Sequence, residues 1–110
     1  MQKQPVSPYK DKRYEEVLKE LAMKYIALES NGTSLVTVTS IHLDNRGKNA
    51  TVCFTVLPEE KEEVVLDFLK RKRPDFKEYI KKNSRLGIIP QVDFEIDYGE
   101  KNRQTVDRLI

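Results

Sequence analysis

Two alternating segments joined by a polar turn constrain the fold of this chain more than any other feature. Residues 35–43 (LVTVTSIHL) and 50–57 (ATVCFTVL) are rich in β-branched residues, and their apolar side chains alternate with polar ones. The intervening residues 44–49 (DNRGKN) are typical of a hairpin turn. We therefore predict an antiparallel pair of strands with one apolar face, which other elements must cover.

The alternation in the first of these strands changes phase. Val36 and Val38 face one way, whereas Ile41 and Leu43 fall in the opposite phase after Ser40. A β-bulge or a sharp twist near Ser40 would return all four apolar side chains to the same face. We predict an irregularity of this kind at that point.

Helical periodicity precedes the hairpin. Apolar residues recur at spacings of three and four across residues 11–30, which puts them on one stripe of an amphipathic helix. Asp11 is a candidate N-cap, and Asn31-Gly32 supplies the positive-φ conformation with which many helices end. We predict a first helix over this range.

A second helical pattern follows the hairpin and contains a proline. Pro58 and the acidic residues after it fit a first helical turn with proline at its first position. Because proline lacks an amide donor and clashes with the preceding turn, the helix must kink or restart at Pro74. Apolar residues continue at helical spacing on both sides of that break, at Val64, Val65, Phe68, Leu69, Phe76, Tyr79 and Ile80.

A last strand completes the pattern, with Val92, Phe94 and Ile96, and then Tyr98, alternating with acidic residues. The predicted order is α-β-β-α-(kink)-α-β, an α+β fold with helices packed on one face of a three-stranded sheet. A chain of 110 residues suffices for one such domain. We assign residues 11–99 to the domain, residues 1–10 to a flexible basic arm and residues 100–110 to a tail. A short helix docked by Val106, Leu109 and Ile110 is one interpretation of that tail.

The residue inventory argues against several kinds of active site. One histidine, His42, and one cysteine, Cys53, cannot assemble a zinc site or a nucleophile pair. A single cysteine also excludes an intramolecular disulfide, which favours a reducing, cytoplasmic compartment. The sequence has no phosphate-binding glycine loop, no serine elbow and no run of membrane-spanning length. We predict no cofactor, no metal site and no membrane partner.

The strongest enzyme-like signal is the set Asp93, Glu95 and Asp97, which share one face of the last strand. Adjacent members of such a set lie about 7 Å apart, so a close cation site would need carboxylates from other elements. Polar alternation on a solvated sheet face explains the three acids without chemistry. We therefore expect no enzyme activity, with a divalent-metal enzyme centred on these residues as the less favoured alternative.

Positive charge is concentrated between residues 70 and 85. This segment holds eight basic and two acidic residues, a net +6, whereas the whole chain carries only +2. A solvated helix face is the simplest explanation, but few acids in the segment are spaced to pair with the cations. Unpaired cations on one face suit a phosphate backbone. The stripe comprises Lys70, Arg73, Lys77 and Lys81, with Lys82 and Arg85 beside it.

Taken together, these features resemble the ribosome-binding factor A family. The resemblance covers most of the chain and is carried by Lys10 and Arg13, VTVTSIHL, ATVCFTVL, RLGIIPQVDFEIDYG and Leu109-Ile110. The resemblance rests on the combined pattern of these segments, since none of them is a catalytic motif. It implies a type II KH-like fold and a bacterial, non-enzymatic assembly factor. Such a factor binds the maturing small ribosomal subunit and its rRNA and assists late processing and folding, notably in the cold.

The resemblance also implies where RNA is contacted. The family has an Ala-x-Gly kink where this chain has Lys72-Arg73-Pro74, so proline forces here the bend that glycine permits there. We expect a monomer that contacts shaped rRNA mainly through phosphates. The alternative is a protein-interaction module whose acidic strand face docks a basic partner. Three expected RNA-binding residues match basic positions of the family: Lys10, Arg13 and Arg85. Charge and helical geometry, supported by the family's use of that surface, add Lys70, Lys72, Arg73, Lys77, Lys81 and Lys82.

Overall fold

The computed structural model describes residues 12–30, 32–87 and 89–100, and the order of elements is the predicted one. The helices and strands are α1 (Lys12–Glu29), β1 (Leu35–Asp44), β2 (Asn49–Leu57), α2 (Glu62–Arg71), α3 (Arg73–Asn83) and β3 (Gln91–Ile96). The proposed arm, the proposed tail beyond residue 100, and the candidate cap Asp11 lie outside the described residues. None of the helices in this part of the chain has the length and apolar character of a membrane-spanning segment.

The three strands form one sheet in the order β1-β2-β3. β1 and β2 are antiparallel, as the hairpin pattern predicts, whereas β3 runs parallel to β2. The turn between β1 and β2 uses the left-handed region at Arg46 (φ 59°) and Gly47 (φ 82°), a conformation that glycine adopts without steric cost. The parallel β3 reaches its position through the helical connection of α2 and α3, since parallel strands need a crossover.

The predicted bulge is confirmed. Val38 pairs with Phe54, but the next pair is Ser40 with Cys53, so Thr39 is the extra residue of β1. As a result Val36 and Ile41 both contribute to the core despite their opposite phase in the sequence. The bulge therefore lets a strand with broken alternation present one apolar face.

A hydrophobic core lies between this sheet face and the helices. Val52, Phe54 and Phe94 from the sheet are almost completely buried, as are Leu69 and Ile80 from the helices. Burial of such side chains stabilises a fold by about 1.5–3 kcal/mol each. The packing of α1, α2 and α3 against the sheet confirms the predicted α+β architecture.

Three local expectations are wrong. Pro58 is not the first helical residue, because it caps a short 3₁₀ turn (Glu59–Lys61) that precedes α2. Val64 does not belong to the buried stripe, since 64% of its surface is exposed. Tyr98 does not continue the alternation of β3, because the strand ends at Ile96 and Tyr98 is exposed.

Candidate nucleic-acid interface

The break between α2 and α3 is a kink centred on Lys72, whose φ of −91° and ψ of 6° depart from helical values. The Lys72 amide still donates to the carbonyls of Phe68 and Leu69, and its carbonyl accepts the amide of Phe76 at 2.8 Å. The Phe76 amide is therefore not available to a phosphate. α3 begins at Arg73, so Pro74 is its second residue, one position later than a restart at proline would give.

A side chain replaces the hydrogen bond that proline removes. In an unbroken helix the amide of residue 74 would donate to the carbonyl of Lys70. Pro74 has no amide, and the Arg73 Nε donates to that carbonyl instead, at 2.9 Å. The guanidinium of Arg73 is thereby held beside the kink, where its Nη1 donates toward β3.

A basic cleft of about 480 Å³ lies between the kink and the start of β3. Its charged lining comes from both helices, and its apolar part from Pro74 and Val92. The cleft thus brings together three of the cations that helical spacing predicted, together with one further arginine and a polar amide. We call this surface the basic cleft; it is lined by Lys70, Arg71, Arg73, Pro74, Lys77, Gln91 and Val92.

Asp93 of β3 neutralises part of the basic cleft. Its Oδ1 accepts hydrogen bonds from Lys70 Nζ at 2.9 Å and from Arg73 at 3.2 Å, and also from the Phe94 amide at 2.8 Å. Partial burial by itself raises the pKa of Asp93, but the hydrogen bonds from Lys70 and Phe94 and the charges of Lys70 and Arg73 outweigh that effect. The pKa of Asp93 therefore lies below its usual value, and the acid is an anion at neutral pH.

Lys72 faces α1 and not the basic cleft. Its Nζ lies 3.2 Å from Glu29 and 3.8 Å from Asp75, and 5.8 Å from the centre of the Phe68 ring. Asp75 in turn accepts a 2.6 Å hydrogen bond from the Tyr25 hydroxyl. Lys72 is thus the cation through which the kink is attached to α1.

The remaining basic residues lie on α3 and just beyond it. Lys77 is half-buried at the edge of the basic cleft, whereas Lys82 and Arg85 are exposed. In the part of the chain that the structure describes, none of these three forms an ion pair, while Lys81 pairs with Glu78 at 3.4 Å. Lys82 also lies in the last turn of α3, where a cation stabilises the helix dipole.

The two basic positions near the first helix are separate from this surface. Arg13 is exposed in the first turn of α1, next to Tyr14, whose hydroxyl contacts the Gly47 carbonyl at the hairpin. Lys10 lies outside the described residues. The structure therefore groups Lys70, Arg73 and Lys77 in one cleft. It places Lys81, Lys82 and Arg85 outside the lining of that cleft, in the last turn of α3 or after it, and Arg13 at the start of the first helix.

Sequence reasoning missed Arg71 and Gln91, and it interpreted Asp93 as solvated alternation. Arg71 follows Lys70 directly, outside the predicted stripe, and also lines the cleft. Gln91 and Asp93 come close to the helices only because β3 pairs in parallel with β2. No local signal in the chain indicates that pairing directly. Within the segment, Glu78 pairs with Lys81, and the further acid that pairs with the stripe is Asp93 of β3.

Of the other chemical candidates, Asp97 is held by hydrogen bonds, Cys53 is buried and His42 is exposed. Asp97 accepts a hydrogen bond from the Thr39 hydroxyl and another from the Glu100 amide at 2.9 Å. Over the described ranges, no group of three or more His, Cys, Asp or Glu side chains is arranged to hold a metal ion. Cys53 is a buried free thiol whose pKa is raised above its usual value, chiefly by that burial. His42 is exposed on β1.

Comparison with known proteins decides the family. The family model described as ribosome-binding factor A matches residues 10–110, nearly the whole chain. This chain belongs to the ribosome-binding factor A family. Curated relatives include ribosome-binding factor A of Neisseria gonorrhoeae, 24% identical over 101 residues, covering 91% of this chain and 82% of the relative. That of Coprothermobacter proteolyticus is 26% identical over 94 residues, covering 84% of this chain and 69% of the relative.

Solved structures of the ribosome-binding factor A family share this architecture. The crystal structure from Thermus thermophilus aligns with a TM-score of 0.68 at 22% identity, over 76% of this chain and 91% of that one. The solution structure of a putative ribosome-binding factor A from Thermotoga maritima aligns with a TM-score of 0.64 at 26% identity, over 86% and 91%. The predicted KH-like fold is therefore confirmed.

Proposed function

We propose that this protein binds the maturing small ribosomal subunit by contacting rRNA phosphates with the basic cleft and the adjoining face of α3. Membership of the ribosome-binding factor A family supports the ribosome as target, and the charge arrangement supports this face. In this proposal the protein acts as a monomer in the cytoplasm and assists late assembly and rRNA processing, including in the cold, without catalysing a reaction.

One observation carries the proposal: Lys70, Arg73 and Lys77 line one cleft, and part of the positive charge in and after α3 has no ion-pair partner among the described residues. Lys77, Lys82 and Arg85 form no ion pair within that part of the chain, so binding them to phosphate breaks no existing pair. Lys70 and Arg73 share Asp93, so phosphate must compete with that carboxylate for them. We therefore assign the larger contribution to the unpaired cations.

The other predicted residues have narrower roles in this proposal. Lys81 contributes after release from Glu78, and Lys72 supports the site by attaching the kink to α1. Arg13 and Lys10 provide a second phosphate contact, which the basic arm of residues 1–10 extends. Because the contacts are with phosphates, the protein distinguishes RNA mainly by shape and phosphate geometry.

A titration of purified small-subunit rRNA tests the proposal. The double variant Lys77→Glu/Lys82→Glu is expected to bind at least tenfold more weakly (on the order of 1.4 kcal/mol or more) than the unaltered protein. The control Lys19→Glu/Lys24→Glu changes the net charge by the same amount on α1 and should bind nearly as well as the unaltered protein.

The salt dependence gives a second readout of the same titration. Each phosphate contact contributes about −0.7 to −0.9 to the slope of log K against log salt concentration. Loss of two contacts should therefore reduce the slope by about 1.5 in the test variant and leave it unchanged in the control. Equal slopes in both variants would mean that Lys77 and Lys82 do not contact phosphates.

A further inference from the structure

An apolar groove lies beside the exposed face of α2, and Arg71 lines both this groove and the basic cleft. It has a volume of about 180 Å³ and is enclosed by α1, the start of β1 and α2. Val64, with 64% of its surface exposed, stands at its open side, and Val65 and Phe68 are only partly buried. The apolar lining consists of Ile26, Val36, Val64, Val65, Phe68 and Leu69.

Exposed acidic residues lie near Val64 in the chain, outside the lining of the groove itself. On a helix, residues three and four apart are neighbours, so Asp67 lies next to Val64 on α2. Glu60 precedes the helix in the 3₁₀ turn, and Glu63 is the residue before Val64. All three acids are exposed, and none forms an ion pair with any described residue. They differ in this respect from Glu29, which also lines the groove but is held by Lys72.

Helix stability alone does not explain this arrangement. Acids in the first turn of a helix stabilise its dipole, which accounts for the acids at the start of α2. Asp67, however, lies in the second turn, and the exposed Val64 adds nothing to the dipole or to the core. An aliphatic residue surrounded by unpaired acids, beside a groove sized for an aliphatic side chain, is complementary to a basic and partly apolar partner.

We propose that this groove docks a basic protein segment, which inserts an aliphatic side chain beside Val64 and directs lysine or arginine toward Glu60, Glu63 and Asp67. RNA is disfavoured as the occupant because these acids repel phosphates. Arg71 is the one cation in the described lining, at the end of the groove nearest the basic cleft. The sequence pattern suggested the acidic face of the last strand as the docking surface for a basic partner. Because Asp93 and Asp97 have internal partners there, we assign this docking to the acids near Val64 instead.

This inference does not rest on the proposed RNA contact. α2 has 10 residues, so its two ends are about 15 Å apart. The α2 residues that line the groove run from Val64 to Arg71, and Arg71 also lines the basic cleft, so the two surfaces meet at the carboxyl end of the helix. The proposed docking contacts at Val64 and Asp67 are outside the lining of the basic cleft.

Two matched peptides test the docking site on the full chain labelled for NMR. The first is a short amphipathic peptide with leucine and lysine at helical spacing, and the second replaces every lysine by glutamate. The basic peptide is expected to shift the amide signals of Val64, Val65 and Phe68, whereas the acidic peptide should leave them unchanged.

Substitutions at exposed positions separate the apolar and charged contributions. Val64→Ser is expected to weaken binding of the basic peptide about tenfold, and Glu63→Gln/Asp67→Asn by a similar factor. The control Glu15→Gln/Glu16→Gln removes the same charge from α1 and should change the affinity less than about twofold. Unchanged dispersion of the amide spectrum shows that each variant is folded.

Three results would overturn the proposal. The first is no binding of the basic peptide, or signal shifts confined to surfaces other than the groove. The second is equal weakening by the α1 control, which would mean that only net charge matters. The third is displacement of the groove signals by a single-stranded RNA oligonucleotide, which would make the groove part of an RNA surface.

Discussion

At the scale of single residues, Asp93 shows how one side chain of the sheet pairs with helix cations and reduces the positive charge of the basic cleft. Among the described acids, it alone contacts both Lys70 and Arg73, and it lies on the strand that pairs in parallel with β2. Its carboxylate fixes two cations in defined positions at the entrance of the basic cleft. The same contacts reduce the charge that an incoming phosphate meets.

Substitution of Asp93 tests its pairing through pH. Because its pKa is lowered in the folded state, the charged pair stabilises the fold above the ordinary carboxyl pKa of 3.8 and loses this effect as pH falls through the lowered pKa. The side chains are about 40% exposed, so Asp93→Asn should cost less than about 1 kcal/mol at neutral pH.

Urea denaturation at neutral pH and near pH 2 measures the Asp93 effect. The difference in unfolding free energy between Asp93→Asn and the unaltered protein should shrink at the lower pH. Glu95→Gln is the control, because Glu95 is exposed on the same strand and has no ion-pair partner among the described residues. A deficit of equal size at both pH values would show that charge is not the cause.

Tyr25 joins α1 to α3 through its hydroxyl as well as its ring. The hydroxyl donates to Asp75 at 2.6 Å, and the ring centre lies 5.0 Å from that of Phe76. Burial, followed by the hydrogen bond to Asp75 and nearby negative charge, raises the pKa of Tyr25 above its usual value. Tyr25 is therefore neutral and donates this hydrogen bond throughout the physiological range.

Tyr25→Phe should lower the unfolding free energy by about 1.5 kcal/mol, because it removes one partly buried hydrogen bond to a charged acceptor and keeps the ring. Tyr79→Phe is the matched control, since the Tyr79 hydroxyl has no hydrogen-bond partner among the described residues and its ring packs on the same cluster. Chemical denaturation measures both. Equal losses for the two variants would contradict the role given to the hydroxyl.

At the scale of elements, the kink is fixed by tertiary contacts as well as by proline. Lys72 is attached to Glu29 on one side, and Arg73 to Asp93 on the other. Pro74 is exposed, and its missing amide is replaced by the Arg73 side chain. These contacts do not require the proline ring.

Pro74→Ala should therefore change the unfolding free energy by less than about 1 kcal/mol. Pro90→Ala is the contrasting control, because Pro90 is completely buried before β3 and its loss leaves a cavity, with an expected cost of about 2 kcal/mol. Denaturation with near-UV circular dichroism checks both. A larger loss for Pro74→Ala than for Pro90→Ala would show that the kink depends on the proline.

The elements themselves were predictable because their patterns are local. Alternation specifies β1 and β2, helical spacing specifies α1, and the phase change at Ser40 was sufficient to predict the bulge. The parallel pairing of β3 was not predictable in this way, because it depends on how the α2–α3 connection crosses the sheet. For that reason the stripe of Lys70, Arg73 and Lys77 could be predicted, whereas its pairing with Asp93 could not.

At the scale of the whole molecule, charge is divided between two surfaces that share α2. Its acidic half borders the apolar groove, and its basic end opens into the basic cleft. A net charge of +2 conceals this division. Local fields rather than net charge govern the approach of a partner, so the two proposals, a polyanion at the basic cleft and a basic protein segment beside Val64, are compatible in one molecule.

The central claim is that α3 and the basic cleft attach this protein to the small ribosomal subunit. Co-sedimentation with purified small and large subunits in a sucrose gradient tests it most directly. The unaltered protein and Lys19→Glu/Lys24→Glu should migrate with small subunits, and Lys77→Glu/Lys82→Glu should remain at the top of the gradient. Migration of both double variants with small subunits, or of the unaltered protein only with large subunits, would contradict the claim.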